Sequence, residues 1–521
     1  MSDGDPDMAE QVSEVLETDV ETFEARAAAD AETVKAELRD GTFDNHQSIV
    51  GLEYEFYAVS EGRWREGDAG ADGPDPEASH LSRVPRRLLE LIGFEKELGL
   101  HNAEMTTSPQ PLNDDGLRAQ ASEVRARLSA ALDTTGAEGM RLVSDGMWTI
   151  PPVGETARGY LSDAVEDDGV RIATNMSDAV RYHAMANSAG VDAFSVDAPH
   201  VDLTAPTVMP ESLITSIQPH YQVASAEDIP HHHDLALRVA GPLLALGVNA
   251  PFFPPDVYAA DATADDVLRD GWHENRVAVF ESVLNREGAE KVAFPRDLDS
   301  VEEAVDRVAG DATMVPMDVS EGDRFDDAFA TLRRKHGTYW RWVRPVFDGA
   351  TRSAANARIE FRPIPAQPTV RDSVAFLAAF AGLMEGLPRR RHPVADLDWE
   401  TAEANFYAAV RDGIDADLSW VTNDGVETTD RDVLFDDLLA HAEAGLEDAG
   451  VSESEAESYI APLRWRADTG VTPAGWKRRR VRERVADGAD LAEAVHAMQR
   501  TYIAEQTDTL LDGTFADWVD E

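Results

Sequence analysis

The sequence predicts an α+β protein: one antiparallel sheet with a polar open face, flanked by helices, and then a helical C-terminal region. Three observations carry this. Short stretches such as GLEYEFYAV (51–59), TSIQPHYQVA (215–224) and ARIEFRPIPAQPT (357–369) alternate polar and apolar residues with the period of a strand. In each, one face is apolar and the other carries Glu, Gln, His or Arg, the pattern of an antiparallel sheet covered on one side. Beyond PRRRHP (388–393) the apolar spacing is almost wholly helical to the end of the chain. The chain accordingly divides into an acidic helical segment (1–45), a sheet-containing domain (46–387) and a helical region (388–521).

The elements follow in order. Val12, Val15, Leu16 and Val20 recur at helical spacing in the first segment and predict one surface helix ahead of the first strand. In the strand at 51–59, Gly51, Glu53, Glu55, Tyr57 and Val59 share one face, and Leu52, Tyr54, Phe56 and Ala58 share the other. Residues 61–80 are rich in Gly, Asp and Pro and predict a loop. A helix over 114–136 has Leu117, Ala121, Val124, Leu128 and Leu132 along one stripe, with Gly136 near its end. Pro219 within TSIQPHYQVA predicts an edge strand or a local irregularity, because proline cannot donate to a central ladder. DLALRVAGPLLALG (234–247) and SVAFLAAFAGLMEGL (373–387) read as helices, and the proline-bounded basic patch that follows marks a boundary. PHHHD (230–234) reads as an exposed turn and GWKRRRVRERV (475–485) as a salt-bridged surface helix.

Composition narrows the function. Asp and Glu number 99 against 47 Lys and Arg, a formal charge of −52, yet 43% of residues are hydrophobic, enough for a large core in 521 residues. Only five lysines are present, Lys35, Lys96, Lys291, Lys335 and Lys477. This is the composition of proteins that work in molar salt, as in halophilic archaea, where self-repulsion is screened. Such a field disfavours nucleic acid and anionic membranes as partners. No cysteine is present, so thiolate nucleophiles, thiolate metal sites and disulfides are excluded. The start MSDGDPDMAEQ has neither a basic region nor an apolar run, and no stretch of about 18 apolar residues follows, so a soluble, cytoplasmic protein is expected.

Carboxylates two apart on a strand can share a hard cation, and they can equally form the solvated face of an edge strand. Glu53 and Glu55 pose that choice. Arg358, Glu360 and Arg362 form a second polar row, as do Ser216, Gln218, His220 and Gln222; Glu104 lies between Asn102 and Thr106 in a third stretch. HGTYWRWVRPVFDG (336–349) sets aromatics around Arg341 and Arg344, and guanidinium groups beside rings suit a phosphoryl group or nucleotide. Carboxylates that hold divalent cations, opposed by arginines, are what phosphoryl transfer from ATP needs. No GxxxxGK[ST] loop is present, so metal and arginine must hold the phosphates.

In order, GLEYEF, NAEMTTSPQPL, SIQPHYQV, NAPFFP, WHENR, TYWRWVRP and RIEFRPIPAQPT resemble the glutamate-cysteine ligase family, in its plant-like and bacterial carboxylate-amine ligase branches, over residues 48–385. The resemblance implies a fold similar to the glutamine synthetase catalytic domain, with a curved antiparallel sheet. It implies magnesium or manganese on Glu53, Glu55, Glu104, His220 and Glu360. It also implies nucleotide or phosphate contacts from Gln218, Arg276 and Arg344, and catalytic contacts with the transferred phosphoryl group from Arg344 and Arg362. The reaction implied uses ATP as co-substrate: a carboxylate, by default that of glutamate, becomes an acyl phosphate that an amine such as cysteine captures. Gln218 stands where many bacterial relatives have histidine, and NAPFFP departs from the usual Asn-Ser-Pro-Phe form. A binding-only relative and a guanidino kinase of the phosphagen type are the alternatives. Oligomeric state is not legible.

Overall fold

A computed structural model of the chain describes residues 7–61, 78–188, 190–286, 288–319 and 322–519. Most of the loop expected at 61–80 lies outside them. The main sheet is built from β1 (Ile49–Ser60), β2 (Phe94–Lys96), β3 (Asn102–Thr106), β4 (Gln110–Pro111), β5 (Met140–Val143), β6 (Ile217–Gln222), β7 (Val343–Asp348) and β8 (Asn356–Phe361). The spatial order is β7-β8-β6-β1-β3-β2, with β4 and β5 also paired to the long strand β1 and every pairing antiparallel.

The alternation seen in the sequence becomes the two faces of this sheet. Leu52, Tyr54 and Phe56 are no more than 1% exposed, whereas Gly51, Glu53 and Glu55 on the opposite face are half-buried. Burying side chains of that size stabilises the fold by about 1.5–3 kcal/mol each. Behind the sheet, Phe361 stacks on Phe380 with ring centroids 4.4 Å apart.

The helices that matter here are α1 (Met8–Leu16), α2 (Val20–Arg39), α3 (Asp114–Gly136), α4 (Ile229–Gly247), α5 (Val301–Gly310), α6 (Ala330–His336), α7 (Val370–Arg390), α8 (Arg431–Asp448), α9 (Glu453–Thr469), α10 (Pro473–Ala486) and α11 (Leu491–Thr509). Asn113 caps α3, its side-chain oxygen accepting from Gly116 N at 2.9 Å, and Thr369 caps α7. Helix α7 is buried along most of its length between the sheet and the pair α8 and α9, and Pro388 lies in its last turn.

Four local expectations change. The N-terminal segment forms two helices, because Asp19 caps a second one by accepting from Thr22 N at 2.8 Å. PHHHD is the first turn of α4, with Pro230 near its start and His233 buried, so it is no exposed turn. Strand β6 is central rather than at an edge. Its ladder to β1 runs through the Leu52–Pro219 pair, and Leu52 N donates instead to Thr107 Oγ1 at 2.9 Å. On the other side the ladder to β8 covers His220–Gln222 and ends at the proline, so the missing donor falls where pairing stops. Finally, α10 is only partly a surface helix: Lys477 is 2% exposed and its ammonium donates to Asp145 and to Asn249 O.

Candidate active site

Register brings the polar rows of separate strands together. Across the sheet, Arg344 stands opposite Glu360, Glu360 opposite His220, Gln218 opposite Glu53, and Glu55 opposite Glu104. Residues paired in this way share a face, so segments 53–55, 104, 218–220, 344 and 360–362 converge on one surface. Of the residues expected at the site, Glu53, Glu55, Glu104, Gln218, Arg344 and Arg362 line a single cavity of about 190 Å³. His220 and Glu360 lie beside it, bonded to its walls.

The arginines are held by a carboxylate. Glu360, 3% exposed, accepts through one oxygen from Arg344 Nε at 3.0 Å and from Arg362, which also donates to Gln218 Oε1 at 2.7 Å. Burial alone would raise the Glu360 carboxyl, but Arg344, Arg362 and His220 hold it well below the usual carboxylate range. Arg344 also donates to His336 O and Tyr339 O, each at 3.0 Å, which fixes the guanidinium against the turn after α6. Glu53 Oε1 lies 3.3 Å from His220 Nε2. Burial raises the Glu53 carboxyl, but the attraction of His220 outweighs it and leaves Glu53 below its ordinary value. His220 Nδ1 accepts from Arg358 Nε at 3.1 Å, and Arg358 is paired with Asp348 at 2.8 Å.

The other end of the cavity is crowded with carboxylates. Glu55 accepts from Ser216 N at 2.7 Å, Ser216 Oγ at 2.9 Å and Gln218 Nε2 at 3.0 Å. Burial and the charge of Glu97 nevertheless push it up to about 7. Glu104 is raised well above the ordinary range by burial and then by Glu53, Glu97 and Glu55. Glu211 is raised likewise by burial, Glu97 and Glu55. Glu97 follows β2, and Glu211 lies in the short 3-10 turn Met209–Leu213. Neither was singled out in the sequence, because an isolated glutamate in a chain with 99 acidic residues carries no periodic signal. The same holds for Arg181 and Tyr182, which close the cavity with Arg181 donating to the tyrosine hydroxyl at 2.8 Å.

Arg276 sits one layer further in. It is 3% exposed, lies 3.4 Å from Glu274 and donates to the carbonyls of Arg362 and Pro363. It therefore clamps the chain that follows β8. It also lines a side pocket of about 30 Å³ with Glu55, Glu211, Ser216 and Arg362.

The donor set suits hard cations. Burial and mutual repulsion raise the carboxyls of Glu55, Glu104 and Glu211, and a divalent ion with oxygen preference relieves that repulsion. His392, Asp437 and His441 form a second cluster of metal-ligand type among the described residues. There Asp437 accepts from His392 at 2.9 Å and Trp420 Nε1 at 2.8 Å, His392 Nδ1 accepts from Val394 N, and His441 Nδ1 bonds Asp437 O at 2.7 Å. These groups satisfy one another as a structural network.

No curated protein is significantly similar to the chain in sequence. Among solved structures, the chain is similar to the glutamate–cysteine ligase of Francisella tularensis in complex with AMP. The TM-score is 0.50 at 14% identity, covering 90% of this chain and 91% of that one. It is also similar to a bifunctional glutathione synthetase from Pasteurella multocida, with TM-score 0.50, 14% identity, 92% of this chain and 55% of that one; the chain thus spans about half that protein's length. These likenesses bear out the α+β fold with its curved sheet. The sequence model of glutamate-cysteine ligase family 2 matches residues 49–507, which extends past residue 385 through α10 and most of α11. The chain belongs to glutamate-cysteine ligase family 2.

Proposed function

We propose that the protein is an ATP-dependent carboxylate–amine ligase that joins the γ-carboxylate of glutamate to the amine of cysteine. Membership of the family supports ATP-dependent carboxylate–amine ligation, and the glutamate–cysteine pairing is the finer reading. The observation that carries it is one cavity lined both by carboxylates (Glu53, Glu55, Glu97, Glu104, Glu211) and by arginines (Arg181, Arg344, Arg362).

Glu53, Glu55, Glu104 and Glu360, with His220 beside them, would hold magnesium or manganese, which would supply positive charge against the triphosphate. Arg344 and Arg362 pair with oxygens of the transferred group; their shared anchor Glu360 keeps both forks oriented before substrate arrives. Gln218 positions Arg362 by accepting from it, and its amide donates to Glu55. Arg276 fixes the backbone carrying Arg362. In the reaction, a glutamate carboxylate oxygen attacks the γ-phosphorus and ADP leaves. The amine nitrogen then attacks the acyl carbon, phosphate leaves, and the amine gives up a proton to form the amide. The wall formed by Trp340, Phe280 and Tyr182 keeps water from the acyl phosphate. No helix among the described residues is long and apolar enough to cross a membrane, and we expect the enzyme to act in the cytoplasm, where ATP is made.

The test is mass spectrometry of products after incubation in molar KCl with ATP, magnesium, glutamate and a mixture of amino acids and amines. γ-Glutamylcysteine with ADP supports the reading, and a different γ-glutamyl amide changes the acceptor. ADP without an amide points to a kinase, and the absence of ATP turnover by folded protein points to a binding-only relative.

A further inference from the structure

Arg344 takes its orientation from more than Glu360. Its guanidinium donates to His336 O and Tyr339 O, and Tyr339 N in turn donates to His336 O at 3.0 Å, so both carbonyls move with the C-terminal end of α6. That helix has only seven residues, Ala330–His336, and an isolated helix of such length is not stable in water. Its N-cap is Phe329, whose side chain cannot accept a hydrogen bond. The acceptor comes from another helix. Asp30 of α2 takes the second and third amides of α6 through Oδ2, from Thr331 N at 2.8 Å and Leu332 N at 3.1 Å.

Charge reinforces this placement. A helix carries partial positive charge at its N-terminus and partial negative charge at its C-terminus. Acidic Asp30 meets the first and the guanidinium of Arg344 the second, so α6 is bracketed by opposite charges along its axis. Phe43, fully buried, adds an apolar anchor. Its ring lies 6.5 Å from that of Phe329 at the start of α6 and 5.6 Å from that of Phe347 on β7, the strand that carries Arg344. Asp30 and Phe43 both precede residue 49, where the match to the family model begins.

We propose that Asp30 is a positioning residue for Arg344: by capping α6 from the N-terminal segment, it fixes the two carbonyls on which the guanidinium rests. The assignment depends on the reading above, in which Arg344 contacts the transferred phosphoryl group, and carries it to a residue outside the cavity. Loss of the cap frees the first turn of α6 and lets the carbonyls at its other end shift. A misplacement of about 1 Å costs up to about 100-fold in rate; with Glu360 still holding the guanidinium, a loss of about tenfold is expected.

The experiment measures ADP formation by the full chain in molar KCl with ATP, magnesium, glutamate and cysteine. It compares wild type, Asp30→Ala, Asp30→Asn, Arg344→Lys and each Asp30 variant combined with Arg344→Lys. Asp19→Ala, which removes the cap of α2 itself, is the control for simple loss of stability. Asp30→Ala should lower kcat and kcat/KM together by about tenfold, as for an interaction used in the transition state. Asp30→Asn keeps an acceptor oxygen and should lose only about threefold. Folded Asp19→Ala should keep the wild-type kcat. In the Arg344→Lys background, Asp30→Ala should cost less than about twofold, because the group it positions is gone. If Asp30→Ala does not fold, the loss in Asp30→Asn and its absence beside Arg344→Lys make the same test. Equal losses in both backgrounds, an equal loss in Asp19→Ala, or a wild-type kcat in folded Asp30→Ala overturns the positioning role and leaves Arg344 in the site. A fully active Arg344→Lys removes Arg344 from the reaction, and no ADP from folded wild type removes the ligase reading; the positioning role falls with either.

Discussion

Lys477→Met gives the sharpest stability prediction, because the helix that carries it reads as solvent-facing in the sequence. Lys477 is 2% exposed and Asp145 is fully buried; the carboxylate also accepts from Gln499 Nε2 at 2.9 Å and Gly146 N at 2.7 Å. Removing the lysine leaves a buried charge without its partner, a loss of about 3–5 kcal/mol. With about 2.1 cal/mol/K per residue of unfolding entropy, the 521-residue chain would have an unfolding entropy of about 1.1 kcal/mol/K, so Tm should fall by about 3–5 °C. Burial already raises the Asp145 carboxyl against the pull of Lys477. Its folded pKa therefore exceeds the unfolded one, and in the variant the loss should shrink as pH falls and the carboxylate takes up a proton. The double variant Lys477→Met/Asp145→Asn should recover most of the loss, since no net charge is then buried. Calorimetry at fixed molar KCl measures all three proteins. A Lys477→Met protein within about 0.5 kcal/mol of wild type, the range of an ordinary surface substitution, would refute the buried-pair argument.

Other outcomes follow from the same structure. Glu360→Gln removes the charge that holds Arg344 and Arg362, and product formation should fall by at least about 100-fold, the scale of losing one preorganised electrostatic contact; full activity would exclude Glu360 from the site. Glu53→Gln should weaken manganese binding, read by electron paramagnetic resonance, while the circular dichroism spectrum is unchanged; unaltered manganese affinity would remove Glu53 from the cation site. In metal-free protein, Glu55, Glu104 and Glu211 have folded pKa values raised above their unfolded ones, so stability should decline as pH rises through about 5 to 7, and magnesium should restore it; a metal-free Tm that rises over that range would contradict the carboxylate crowding. Reducing KCl from molar to about 0.1 M lengthens the screening distance from about 3 to 10 Å, and with a charge of −52 the protein should lose stability; an unchanged Tm would detach the composition from salt dependence.

The sequence by itself determined which residues alternate and therefore which face the site. Glu53 with Glu55, Gln218 with His220, and Glu360 with Arg362 are legible because a strand's period of two is local, needing only the chain's own stereochemistry. Side-chain burial does not follow that rule. Tertiary structure alone decided that Pro219 sits in a central strand, because only the neighbouring ladder shows that pairing stops where the donor is missing. It likewise decided that Lys477 is buried, since its partner Asp145 lies more than three hundred residues away. Glu97, Arg181 and Glu211 reach the cavity from short segments with no period of their own. Periodicity is written in the chain; convergence of distant segments is set by how the sheet curves and which helices cover it.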